Sequence, residues 1–190
     1  WNPGKLARGI DVINTGFDAY SSNVLAFWPD GRELLINKAQ PQTEYDYFFE
    51  AAGPGCTYVL SKSVILSFQS FIQLTAEPMK KSMLHDWLCY AFCRSRGYRW
   101  FIDPEPSMRY RQHENNQVGT NSGLTAAIWR FGLVRGSWYS EQVVDICTAV
   151  SPNMKRHFDS VVFRLINYRK LRRRPRDKFY LLVMSALGIY

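Results

Sequence analysis

Several absences bound this sequence before any motif is considered. The near-continuous apolar run from Phe179 to Tyr190 is shorter than the roughly 20 residues a helical bilayer span needs. No secretory signal is visible at the start. The four cysteines, Cys56, Cys89, Cys93 and Cys147, lack the paired spacing of a metal finger. They read as small core residues in a reducing compartment, with Cys89 and Cys93 on one face of a helix. No internal repeat and no low-complexity tract occurs. No Gly-x-Ser-x-Gly turn is present, which argues against a hydrolase using Asp86 and His113 directly.

Acidic residues are scarce in one segment. Positions 155–178 hold ten lysines and arginines against Asp159 and Asp177, which accounts for the whole net charge of +8. An anionic partner should therefore meet the protein there. No nucleic-acid-binding motif accompanies the arginine run, so nucleic acid is not expected. A polybasic flank beside the aromatic-ended apolar run suits an anionic membrane surface, contacted through 155–190. The alternative for the same residues is a core helix with a solvated basic loop.

What is present is a chain of 190 residues, 46% apolar and 15% aromatic, enough for a real core. Asn2-Pro3 signals a helix start, with Leu6, Ile10, Ile13 and Phe17 on one helical face. Tyr20 to Trp28 reads as a strand, Pro29-Asp30-Gly31 as a turn and Glu33 to Asn37 as a return strand. Gly53-Pro54-Gly55 must bend before a buried strand from Cys56 to Leu60. Ser61 caps a helix from Lys62 to Leu74. A second helix runs from Leu84 to Arg96 and stops at Gly97. Tyr98 to Ile102 and Ser107 to Gln112 read as strands, either a hairpin or neighbours in a mixed sheet. Helices follow: one around Leu124 to Leu133, one around Val143 to Cys147, and one from Ser151-Pro152 through Ile166.

Two islands carry chemistry. His85-Asp86-Trp87 opens a helix, where the terminal amides favour an ionised carboxylate. Tyr110-Arg111-Gln112-His113 closes a strand and leads into a polar loop. Taken singly, Asp86 also reads as a first-turn charge, Trp87 and Tyr110 as core, and Arg111 as a strand-surface residue.

Their order is more telling. Gly53-Pro54-Gly55-Cys56, His85-Asp86-Trp87, Phe101-Ile102-Asp103, and Tyr110-Arg111-Gln112-His113 with Asn116 follow one another in sequence. This succession resembles the second half of bacterial family 2 glycosyltransferases, most closely the rhamnosyltransferase-like group, over roughly residues 1–120. In that family a Trp-x-Pro-x-Lys-Leu segment, here Trp1 to Leu6, follows an acidic metal-binding cluster. The start at Trp1 then points to a fragment, a processed chain or a clipped gene, without the nucleotide-binding half and inactive alone.

The resemblance implies an α/β fold: the C-terminal part of a GT-A-type mixed sheet with flanking helices, then a helical extension. The acceptor-side half spans 1–120, and 121–190 forms the basic, membrane-associating extension. It implies inverting, metal-dependent transfer of a sugar, rhamnose being the leading candidate. The donor would be a nucleotide sugar such as dTDP-rhamnose, the acceptor a surface polysaccharide or lipid-linked saccharide. Asp86 is the implied catalytic base. Arg111, Gln112 and His113 would contact the donor diphosphate, and His113 would also ligate Mn²⁺ or Mg²⁺. Gly55, Cys56, His85, Trp87 and Tyr110 would form the acceptor side. The implied location is cytoplasmic, on the inner face of the cell membrane, with a homo-oligomer as a further expectation. The competing class is a non-catalytic membrane-surface or interaction module built on the basic C-terminal helices.

Overall fold

The computed structural model describes residues 1–75, 84–112 and 138–188. Within them the architecture is mixed α/β, as the sequence predicts. Helix α1 (Lys5–Asn14) leads into strands β1 (Ala19–Ser22), β2 (Val24–Phe27) and β3 (Glu33–Ile36). Strand β4 (Val59–Leu60) precedes helices α2 (Lys62–Leu74) and α3 (His85–Ser95), then strands β5 (Trp100–Asp103) and β6 (Arg109–Arg111). Helices α4 (Trp138–Val150), α5 (Lys155–Asp159), α6 (Val161–Leu171) and α7 (Pro175–Ala186) follow.

The expected strand from Tyr20 to Trp28 is instead two strands in two sheets, ordered β4-β1-β5 and β3-β2-β6. Asn23 causes the break. Its buried amide donates to Pro104 O at 2.8 Å and accepts the Lys38 and Ala39 N–H groups at 2.6 and 3.1 Å. The side chain holds three separate segments, so the backbone bends there and changes sheet. β5 and β6 run alongside, parallel to β1 and β2 respectively. They are therefore neither a hairpin nor neighbours in one sheet. β4 and β3 complete the two sheets as antiparallel edges.

Three further expectations are corrected. The helix start is Gly4, in a left-handed conformation, while Asn2 bonds to Pro106 O and Ser107 O. α1 buries Lys5, Gly9 and Val12 and leaves Leu6 and Ile10 about half exposed. Gly9 sets that choice: an added Cβ there would lie 2.8 Å from Val59, so the bare backbone seats the helix on β4. The buried strand expected from Cys56 to Leu60 is a single 3-10 turn, Gly55–Thr57, and a two-residue strand. The helix expected from Ser151 to Ile166 breaks at Ser160, whose hydroxyl caps α6 by accepting the Phe163 N–H.

Helix α3 forms the centre. Trp87 to Cys93 are all buried, so this helix is enclosed rather than amphipathic. Val64 and Phe71 of α2 pack on one side, and Phe48, Phe49, Ile146, Phe158 and Leu171 share the same core. Residues from both ends of the chain thus contribute to one hydrophobic interior. The helix expected around Leu124 to Leu133 and the boundary near 120 lie outside the described residues. Among the described residues no helix is long and apolar enough to cross a membrane.

Candidate active site

Asp86 sits in the first turn of α3, half-exposed at the mouth of the helix. Its carboxylate accepts the Trp87 N–H at 2.8 Å and the Gly55 N–H at 3.3 Å. Both donors are neutral backbone groups, and one oxygen serves each, which leaves acceptor capacity on the carboxylate. Gly55 is where the turn touches the helix. A Cβ added there would lie 3.0 Å from Asp86 Cβ and 3.7 Å from His85 Nε2. A side chain at Gly55 would require Asp86 to give way by a few tenths of an ångström.

The turn is anchored from two directions. The Tyr58 hydroxyl donates to Gly53 O at 3.0 Å and to Asp86 O at 3.2 Å, joining the two segments that meet at Gly55. Its ring packs edge-on against Trp100, and burial raises its hydroxyl far above the usual tyrosine range. The buried Lys5 ammonium donates to Cys56 O at 2.6 Å and lies 3.7 Å from the Trp1 ring centroid. Burial lowers Lys5 below the usual lysine range. Tyr110 faces the same cluster: burial, then the nearby Cys56 and Asp86 groups, raise its hydroxyl.

Gly55, Cys56, His85, Asp86 and Tyr110 thus come together around one rim. Among the other expected residues, Trp87 and Arg111 do not join it. Trp87 is only 3% exposed, donates its indole N–H to Tyr47 O and stacks on Tyr139. It is a core residue with no open ring face. Strand alternation sends Arg111 to the face opposite Tyr110, exposed over the Phe27 ring. Gln112 is buried, with its backbone N–H on Phe27 O. His113 and Asn116 lie outside the described residues. Asp103, from the expected Ile-Asp pair, is fully buried and holds Arg8 at 2.9 Å and the Tyr20 hydroxyl at 3.2 Å, an anchoring role. Lys5 and Tyr58 were not expected at the site; Lys5 had a signal in the Trp-x-Pro-x-Lys-Leu segment, Tyr58 had none.

No three His, Cys, Asp or Glu side chains gather into a metal-binding group among the described residues. Asp86 with the exposed His85 does not form a shell, so the described residues are not assigned a cation.

A second charged centre lies inside the fold. Asp46 is fully buried and accepts the Tyr90 hydroxyl at 2.7 Å, with Arg94 at 3.1 Å and Arg173 at 3.5 Å. Burial raises its carboxyl above the usual range, against the pull of the two arginines. Glu50 accepts the Arg173 backbone N–H at 2.7 Å and its guanidinium at 3.2 Å. Burial alone would raise Glu50, but Arg172, Arg173 and Lys38 hold it below the usual range. Part of the basic segment is therefore internal: Arg164 is 4% and Arg173 2% exposed.

No known family model and no solved structure matches the chain. A curated relative does: the chain is 43% identical, over 198 aligned positions, to the protein named dTDP-rhamnosyl transferase RfbG of Shigella flexneri. The match takes in all of this chain and 68% of the relative. Identity at that level over the whole chain, together with the α/β fold and the motif order, places it: the chain belongs to the rhamnosyltransferase family of glycosyltransferases.

Proposed function

We propose that this site transfers rhamnose, with inversion, from a nucleotide diphosphate to a hydroxyl of a saccharide or lipid-linked saccharide. The observation that carries the reading is Asp86: a half-exposed carboxylate on a helix start, held by two neutral N–H donors beside Tyr110 and Cys56. The name of the Shigella relative supports the donor.

The acceptor hydroxyl gives its proton to Asp86 as its oxygen attacks the anomeric carbon. The bond to the diphosphate breaks, and its electron pair leaves with the diphosphate oxygen. One base acting opposite the leaving group gives inversion. Gly55 and Tyr58 fix the carboxylate by fixing the backbone on either side of it, the positional requirement of general base catalysis. A divalent cation would neutralise the diphosphate; the described residues provide no shell for it, and no step is assigned through it. In the intact enzyme, Asp86→Asn is expected to slow transfer about 10²–10⁴-fold with donor affinity unchanged. Retained turnover would remove Asp86 from the mechanism.

The same reading places the enzyme at an anionic membrane surface on the cytoplasmic side. Helices α6 and α7 leave apolar stripes uncovered, Val162 with Ile166 and Phe179 with Val183 and Leu187, beside Arg169, Lys170 and Arg176. Basic residues near such a surface contribute about 1 kcal/mol each. Co-sedimentation with phosphatidylserine vesicles should exceed that with phosphatidylcholine vesicles and fall when Phe179 and Leu187 are changed to serine. Equal sedimentation with both lipids would refute the assignment.

A further inference from the structure

We propose that Lys38, with Arg172 and Arg174, forms a diphosphate-binding site at the opposite end of the Gly53-Pro54-Gly55 turn from Asp86. The proposal rests on the glycosyltransferase reading above and names residues for the anionic part of its substrate.

Lys38 is held in place by its backbone. Its N–H donates to Asn23 Oδ1 at 2.6 Å, at the bend between β1 and β2. Its side-chain stem lies along Gly53, where an added Cβ would stand 3.7 Å from Lys38 Cγ and 3.9 Å from Lys38 Cβ. Gly53 has φ +147°, a conformation side-chain-bearing residues rarely adopt, so a glycine backbone forms the floor under the lysine. The same Gly53 carbonyl accepts the Tyr58 hydroxyl that also holds Asp86 O. Lys38 and Asp86 are thus attached to the two ends of one three-residue turn.

The lysine's surroundings are unusual. The charged groups that act on it most strongly are Glu50, Arg173, Arg174 and Arg172. Glu50 is committed to Arg173, through both its backbone and its guanidinium. Asp46, the next carboxylate in the cluster, is committed to Tyr90, Arg94 and Arg173. Among the described residues no acceptor lies within hydrogen-bond range of the Lys38 ammonium, and Arg174 makes no ion pair. Arg172 is oriented by its bonds to Phe49 O and the Tyr139 hydroxyl and by Asp177 at 4.0 Å. Asp177 is itself shared between Arg172 at 4.0 Å and Arg176 at 3.3 Å, so it offers no spare negative charge to Lys38. Burial first, and the arginines next, pull Lys38 down to about 8, with Glu50 opposing.

A half-buried ammonium among arginines is unfavourable unless a further anion joins them. A diphosphate matches the need. It brings at least two negative charges, a point-charge partner for lysine and oxygen pairs for guanidinium forks. Its place across the turn from Asp86 also suits a leaving group, or an acceptor anchor, beside the base.

Binding should follow the protonation of Lys38. It is mostly charged at neutral pH, half-charged near pH 8 and mostly neutral at about pH 9, so diphosphate affinity is expected at neutral pH and weakened at about pH 9. The experiment is titration calorimetry of the intact protein with inorganic pyrophosphate, dTDP and farnesyl diphosphate at both pH values. Wild type is compared with Lys38→Met, Lys38→Arg, Arg174→Met and Asp86→Asn. Lys38→Met should weaken pyrophosphate binding about 10- to 100-fold at neutral pH, the loss of one charge-assisted hydrogen bond. Lys38→Arg should bind at both pH values and so report the ligand's own titration. Arg174→Met should weaken binding with Lys38 intact, a second reading if Lys38→Met fails to fold. Lys38-dependent binding of dTDP alone assigns the site to the donor, and of farnesyl diphosphate alone to a lipid-linked acceptor. Unchanged pyrophosphate affinity in folded Lys38→Met, or superimposable pH curves for wild type and Lys38→Arg, overturns the site. Asp86→Asn should bind pyrophosphate as wild type does. Normal turnover of that variant would fell the base assignment and leave the anion site standing.

Discussion

Two carboxylates meet helix α3, and they are held in opposite ways. Asp86, on the first turn, is half-exposed and accepts two neutral backbone N–H groups. Asp46, packed on the middle of the same helix through Tyr90 and Arg94, is fully buried and shared by two guanidinium groups and a phenol. The difference separates chemistry from anchorage. A base needs an accessible lone pair and a charge that is not already neutralised. Arginine pairing consumes both, so Asp46 cannot act on a substrate, however strongly it is perturbed. Asp46 instead fastens Arg173, and with it the start of α7, to the turn around Phe48. The accessible carboxylate carries the proposed reaction, and the buried, paired one carries the structure.

The comparison breaks most sharply at Asp46. Asp46→Asn leaves Arg173 and Arg94 without a full counter-charge in a buried site. Removing one partner of such a pair typically costs about 3–5 kcal/mol. Urea denaturation should therefore show a large loss of stability. Asp86→Asn should change stability only by the helix-end charge effect, about 0.3–1 kcal/mol, while slowing transfer. If the two variants lost similar stability, the division between anchor and base would not hold.

The sequence shows some of this and hides the rest for physical reasons. Helices α2 and α3 were legible because their signals are local: Ser61 accepts the Val64 N–H at the start of α2, and Gly97 at φ +79° stops α3. The apolar spacing of α1 was legible too, but it could not show that Gly9 seats the opposite face on Val59. The break at Asn23 depends on Pro104, 81 residues away, so no window of sequence contains it. The arginine run read as a face for an anionic surface, and its internal partners are too remote to show in sequence; Arg173 and Glu50 are 123 positions apart. At the site, Asp86 was legible as a motif at a helix start. Its contact with Gly55 spans 31 positions and emerges only from the fold. The motif gives residue order, while strand pleating decides which face each side chain takes and puts Arg111 opposite Tyr110.

Tyr58 offers the finest test of the same division, because it touches the site without touching a substrate. Its hydroxyl joins Gly53 O to Asp86 O and belongs to neither charged cluster. Tyr58→Phe keeps the ring against Trp100 and removes that link alone. The loss should be about 1 kcal/mol of stability, the value of one buried hydrogen bond. A packing role would end there, with kcat and KM intact. A positioning role predicts a lower kcat at unchanged donor affinity, because the backbone beneath Asp86 is released while the nucleotide contacts are not. Transfer kinetics at saturating donor separate the two, and an unaltered kcat would reduce Tyr58 to a core residue with a satisfied hydroxyl.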